Sequence, residues 1–367
     1  MPGIANDQLL DLTMTTLQNL PNLEVEMAMK NNEYPVMNQW FQGDKVEVES
    51  GTSIVRNIIL ETSGNARHVR LYQKTPINVS DIQFQVTAPW VQFQTHWSIE
   101  RREALRNRAP ARFIDLLQTR RLDAVVDLAD MLEAAAWVAP SGSTDDLAPY
   151  GVPYWLSMLE DDTSTAGFNA YRVRWNSATY TGTTTKGGID GSAQTRWRNY
   201  ADLYTAINAT FIARLRKAFH ATNFKSPMIA KDLTQGPRSQ YRLYTGLQNL
   251  CDYEDLVTQA NDNLGPDLDP YHGNTTFRRV PIQYVNALDS LTVLGGSNTV
   301  NSPLPWYGVN HAKFYPIVLS GDWLREEPPM KDVEQHNVVT AFIDGSYQFF
   351  CKNVREAGFV IHKNIGA

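Results

Sequence analysis

Seven histidines are the side chains best suited to acid–base or metal chemistry, and their spacing offers neither. His68, His96, His220, His272, His311, His336 and His362 are scattered singly. None forms the helical i, i+4 pair with a following glutamate that a zinc hydrolase needs. Thr185-Lys186-Gly187-Gly188-Ile189-Asp190-Gly191-Ser192 is rich in glycine. No buried strand precedes it, and it lacks the Gly-Lys-Ser/Thr cradle of a phosphate site, so it reads as a flexible surface loop. Asn261-Asp262-Asn263-Leu264-Gly265 begins like a calcium loop, but the twelfth position, which should bring a bidentate carboxylate, is His272. No Gly-x-Ser-x-Gly elbow occurs. Cys251 and Cys351 lie far apart without a second ligand at metal spacing, and read as small core residues in a reducing compartment. The sequence therefore assigns no catalytic residue, no cofactor and no metal. One enzyme class stays open on composition: 9 Trp and 16 Tyr are enough for sugar platforms, which would need a carboxylate pair as acid and base.

Composition narrows the class. At 367 residues the chain is long for one compact unit, which favours two lobes or one elaborated domain. A hydrophobic content of 43% and an aromatic content of 11% exclude a disordered chain. The net charge of -6 argues against a dedicated nucleic-acid binder, whose footprint would be basic. No apolar run approaches the ~18 residues of a membrane span, and Met1 to Asp7 lack the regions of a signal peptide.

The elements that organise the chain are a helix, a hairpin and an arm. Ala111 to Val138 reads as one helix between Pro110 and Pro140, on the order of 40 Å long. Phe113, Leu117, Ala124, Leu128, Met131 and Ala135 recur at three- and four-residue steps, widened by Ile114, Val125 and Leu132. Asp123, Asp127 and Asp130 make the opposite side acidic. Just ahead, Arg101, Arg102, Arg106, Arg108 and Arg112 form a basic cluster suited to a polyanion or to that acidic stripe on another copy. Lys45 to Glu49 alternates as a strand. Ile54–Glu61 and Arg67–Lys74 flank the turn signal Ser63-Gly64-Asn65 and predict a hairpin. Val69 and Leu71 lie on one of its faces, with His68, Arg70, Tyr72 and Lys74 on the other. Such a ribbon is marginal alone and must lie on something. Residues 1–42 have too little apolar surface to fold alone and read as an arm, with a short helix ending near Leu20.

Further on, Arg196 to Phe219 predicts a second amphipathic helix and Glu254 to Asn261 a third. Strands are expected at Val280–Val285, Phe314–Leu319, Val338–Ile343, Tyr347–Cys351 and Phe359–His362. Irregular interleaving of helices and strands indicates an α+β fold.

The order of these elements, with several local segments, resembles a known family. The segments are Val86-Thr87-Ala88-Pro89-Trp90 leading into Trp97-Ser98-Ile99-Glu100-Arg101-Arg102-Glu103, Gly191 to Tyr200, and Ala260 to Gly265. They continue with Trp306-Tyr307-Gly308-Val309-Asn310, Phe314, and Trp323-Leu324-Arg325-Glu326-Glu327. Together they are similar to the major capsid proteins of tailed bacteriophages with the Hong Kong 97-type fold. That resemblance implies an N-terminal arm over 1–42, an extended loop over 43–85, and a peripheral domain over 86–159 with its spine helix at 111–138. It also implies an axial domain over 160–320, return strands of the peripheral domain over 321–352, and a C-terminal strand over 353–367.

The implied function is self-assembly into hexamers and pentamers of an icosahedral shell around double-stranded DNA, held without sequence specificity. The implied partners are further copies of the chain, a portal protein, and a scaffold or decoration protein, with no membrane; the implied location is the virion capsid. Expected intersubunit contacts are Arg101, Arg102, Arg106, Asp127, Asp130, Val69, Leu71 and Tyr72. The runner-up is an encapsulin-like compartment of the same fold, enclosing protein cargo.

Overall fold

The computed structural model describes residues 34–44, 46–48, 51–74, 82–106, 110–159, 165–173, 175, 183–223, 240–260, 275–289, 292–295, 298–301, 303–331 and 337–363. The helix expected before Leu20 and the Asn261–Gly265 stretch lie outside these residues.

Two sheets share one core. The first is built on the long strand Val338–Cys351, which pairs antiparallel with Val91–Glu100, Phe314–Leu319, Arg325–Glu326 and Met330–Lys331. Val46–Val48 adds a sixth strand, parallel to Phe314–Leu319. The second sheet has seven strands in the order Thr276–Phe277, Val280–Tyr284, Tyr241–Thr245, Trp306–Asn310, Gly358–Lys363, Asn199–Tyr204 and Gly167–Ala170. Two of its pairings are parallel: Val280–Tyr284 with Tyr241–Thr245, and Gly358–Lys363 with Asn199–Tyr204. The expected segments Val338–Ile343 and Tyr347–Cys351 are thus one strand. It continues through Gly345, where a Cβ would sit 2.4 Å from the Phe93 ring.

The long helix runs from Pro110 to Ala136, close to the predicted bounds. Its buried ridge is Ala124, Leu128, Leu132 and Ala136, an i, i+4 series, while Val125 and Met131 are exposed rather than buried. Trp97 of the edge strand and Ala341 of the long strand close on Ala124.

Three other expectations are corrected. Arg196–Phe219 is not one helix: Asn199–Tyr204 is a strand buried on both faces, and the helix begins at Ala209. The boundary is Asn208, whose side chain accepts the N–H of Phe211 at 3.1 Å and caps the helix. The third helix is longer than expected, Leu247–Ala260, and leaves Cys251 exposed instead of in the core. Cys351 is buried as expected.

The glycine-rich stretch is no flexible surface loop. Thr185–Lys186 and Ile189–Asp190 pair as a tight hairpin, with φ of +55° at Gly187 and +85° at Gly188. Two consecutive positive φ angles are the demand of a two-residue hairpin turn, met here by glycine. A Cβ on Gly187 would lie 2.8 Å from Val86 and 2.9 Å from Trp155, so the turn is also pressed into the core.

Candidate assembly surfaces

The extended loop is a two-stranded ribbon with a different partner from the one predicted. Ser53–Ile59 pairs with Gln83–Pro89, not with Arg67–Lys74. The base of the ribbon is fixed. Ile54, Val86 and Ala88 are buried, Thr87 donates its N–H to the Gly187 carbonyl at 2.9 Å, and the Trp90 indole donates to the Gly51 carbonyl at 3.0 Å. Arg196 donates to the Leu60 carbonyl at 3.1 Å, where the ribbon leaves the core.

Beyond that point Glu61 to Lys74 is exposed along its whole length. The tip is a turn closed from both sides: Gln73 N–H donates to the Arg70 carbonyl (3.1 Å), and Arg70 N–H donates to Gln73 Oε1 (3.0 Å). It presents Leu71 and Tyr72, 88% and 100% exposed, beside Val69 at 57%. Large apolar side chains this free of their own chain make a candidate contact surface. Covering Leu71 and Tyr72 would contribute about 1.5–3 kcal/mol each.

The long helix offers the complementary kind of surface. Asp123, Asp127 and Asp130 are exposed on one side, as the sequence predicts. Asp130 accepts the Tyr34 hydroxyl at 2.7 Å, which pushes that phenol up to about 12. Near the middle of the helix, Arg120 reaches Glu103 and the Ser98 carbonyl (both 2.9 Å), and Arg121 makes a two-pronged pair with Glu326. Arg101 and Arg102 are exposed; Arg102 approaches Glu100 only to 4.0 Å. Among the described residues, no ion pair joins Arg101 or Arg102 to Asp127 or Asp130, and the side chain of Arg106 lies outside them.

Sequence reasoning missed the segment that joins arm to helix. Val36–Asp44 is wound as a π-helix, a rare conformation that is often functional. The wide winding puts Val36, Trp40 and Phe41 on one buried face. Trp40 inserts among Trp137, Tyr244, His311, Phe314 and Phe349, with ring centroids 5.0–5.9 Å away. Its indole donates to Tyr244 Oη at 2.7 Å, and that oxygen lies 2.9 Å from His311 Nε2. Burial holds the His311 imidazole well below its usual range, so it stays neutral. Glu133, 3% exposed on the long helix, accepts the Val36 N–H at 2.9 Å and the Trp137 indole N–H at 3.4 Å. Burial raises its carboxyl to about 7 against those two donors. The signals available in sequence were a tryptophan inside a polar arm and a lone glutamate next to Leu132.

One cavity of about 380 Å³ lies beside the third helix, lined by Tyr204, Asn249, Asp252, Asp255, Leu304 and Lys363 among others. Its two carboxylates stand one turn apart on a single helix.

No protein-family model matches this chain, and no curated protein does. Solved structures do. The cyanophage A-1(L) capsid asymmetric unit aligns with a TM-score of 0.60 at 13% identity, over 97% of this chain and 99% of that one. The capsid of a native GTA particle gives 0.54 at 11% identity, covering 96% of both chains. The cyanophage Pam1 capsid asymmetric unit gives 0.52 at 11% identity, over 99% and 98%. The fold is therefore the α+β capsid fold of the Hong Kong 97 type.

Proposed function

We propose that the chain is the major capsid protein of a tailed bacteriophage and builds an icosahedral shell of hexamers and pentamers around double-stranded DNA. The observation that carries this reading is the likeness to capsid chains from end to end, with nothing large left over on either side. The role is structural. The six-stranded sheet and the long helix form the peripheral domain, and the seven-stranded sheet forms the axial domain. The pairing of Phe314–Leu319 with Val338–Cys351 supports assigning that strand to the peripheral domain.

The mechanism is interface chemistry. The tip carrying Val69, Leu71 and Tyr72 buries its apolar side chains on a neighbouring copy. Arg101, Arg102 and Arg106 pair with Asp127 and Asp130 of another copy. A head-to-tail contact of this kind closes into rings when its rotation closes. Portal, scaffold and decoration proteins are the further partners this reading calls for, and the net negative charge suits a container that must not grip its DNA.

Electron microscopy of the protein expressed alone, and then with co-expressed scaffold, tests the proposal. Uniform closed shells support it, and shells whose purified contents are protein rather than DNA would favour an encapsulin-like compartment. Monomers under every condition would refute both.

A further inference from the structure

The segment Tyr34–Asp44 is held to the body of the protein in three places, and one of them is titratable in an unusual way. Trp40 supplies an apolar plug. Tyr34 supplies a hydroxyl bond to Asp130 on the exposed side. Between them the Val36 N–H ends on Glu133, a carboxyl with almost no access to water.

The surroundings of Glu133 give the ionised form poor support. Its own helix contributes Asp130, one turn earlier, a like charge that disfavours ionisation. It also contributes the Trp137 indole, a long donor at 3.4 Å. The segment contributes the Val36 N–H and, through Asp130, the Tyr34 phenol, which stays protonated. The sheet side contributes the Tyr244–His311 pair behind Trp40, kept neutral by burial and by the positive charge of Arg242 beside His311. Two neutral donors thus face a buried carboxylate, and the charged group that acts on it has the same sign.

We propose that Tyr34–Asp44 is a strap whose release is set by the protonation of Glu133: protonated, the carboxyl keeps the strap closed; ionised, it favours the opened strap, where water reaches it. The strap stays mostly closed throughout, because withdrawing Val36, Trp40 and Phe41 exposes a large apolar surface. What changes is the opening constant. The sign follows from linkage. The carboxyl has a higher affinity for its proton when the strap is closed, so closure is fully favoured below the ordinary glutamate range. That advantage is lost as pH rises through about 7. The inference rests on the single chain and stands whether or not the chain builds shells.

Hydrogen exchange of the unassembled protein, read by mass spectrometry on peptides covering 34–44 and corrected for the intrinsic rate, measures the opening constant. Between about pH 6 and about pH 8.5 the opening constant should rise about tenfold in the native protein. It should stay level in Glu133→Gln. Peptides from the strand Val338–Cys351 serve as the control and should show no such rise. No rise in the native protein, or an equal rise in Glu133→Gln, would overturn the proposal. If the glutamine variant does not fold, Glu133→Met, uncharged and close in volume, makes the same comparison and decides it in the same way.

Discussion

Lys186 Nζ lies 3.0 Å from Asn199 Oδ1 and 3.1 Å from the Trp155 carbonyl, wholly buried and, among the described residues, without a carboxylate partner. Burial lowers this amine to about 7. The unfolded chain therefore binds a proton between about pH 7 and the ordinary lysine range that the folded chain does not, and stability must rise with pH across that window. Urea unfolding at several pH values should show this rise in the native protein. A much shallower one is expected in Lys186→Met, which has no charge to bury. Equal slopes would show that Lys186 reaches water.

Gly308 faces Phe359 across an antiparallel pair, and a Cβ there would stand 2.3 Å from the ring. Both partners are central in the seven-stranded sheet and cannot move apart. Gly308→Ala should destabilise the fold by at least the ~1–3 kcal/mol usual for overpacking, read as a lowered unfolding midpoint. Gly64, with open space around it, should behave differently: its φ of +65° predicts a small backbone cost and no clash in Gly64→Ala.

The Arg121–Glu326 pair ties the long helix to the short strand Arg325–Glu326 with contacts of 2.8–3.2 Å. The guanidinium beside it holds the Glu326 carboxyl below its usual range. Both groups are well exposed, so a double-mutant cycle should give a coupling below ~1 kcal/mol that weakens with salt. A larger, salt-independent value would mean that the pair is buried in the protein as it exists in solution.

Substituting Leu71 and Tyr72 by serine should leave the melting temperature of the unassembled chain nearly unchanged, because both side chains are almost wholly exposed. The same double variant should lose shells in electron microscopy. Arg102→Glu should also lower assembly yield, and an unchanged yield would remove that residue from the proposed contacts.

Much of the fold could be read from periodicity, and the failures share a cause. The long helix was legible because one side of it is buried, and Phe314–Leu319 because it is a short apolar run between breaks, although both its faces are largely buried. Asn199–Tyr204 was misread because a strand buried on both faces loses its alternation. Tyr200 and Tyr204 then happened to continue the helical spacing of Phe211 and Leu215. The ribbon was assigned the wrong second strand because its turn signal, Ser63-Gly64-Asn65, lies inside a longer excursion, and the true partner begins at Gln83. The burial of Lys186 and Glu133 was invisible, since nothing local distinguishes a buried charge from a solvated one. Leu71 and Tyr72 are exposed, but the sequence pattern placed them on the second strand of a hairpin turning at Ser63-Gly64-Asn65, whereas they sit in a turn of their own closed by Arg70 and Gln73.

Gly358–Lys363 occupies an interior place in the seven-stranded sheet, between Trp306–Asn310 and Asn199–Tyr204. The ribosome delivers this strand after every other member of the sheet. Until it emerges, Asn199–Tyr204 and Gly167–Ala170 have no strand pairing with the rest of the sheet, and Trp306–Asn310 shows an open edge. The gap can be filled only by a partner more than 150 residues away in sequence, which is a slow closure. A chain interrupted before this point is left with a divided sheet.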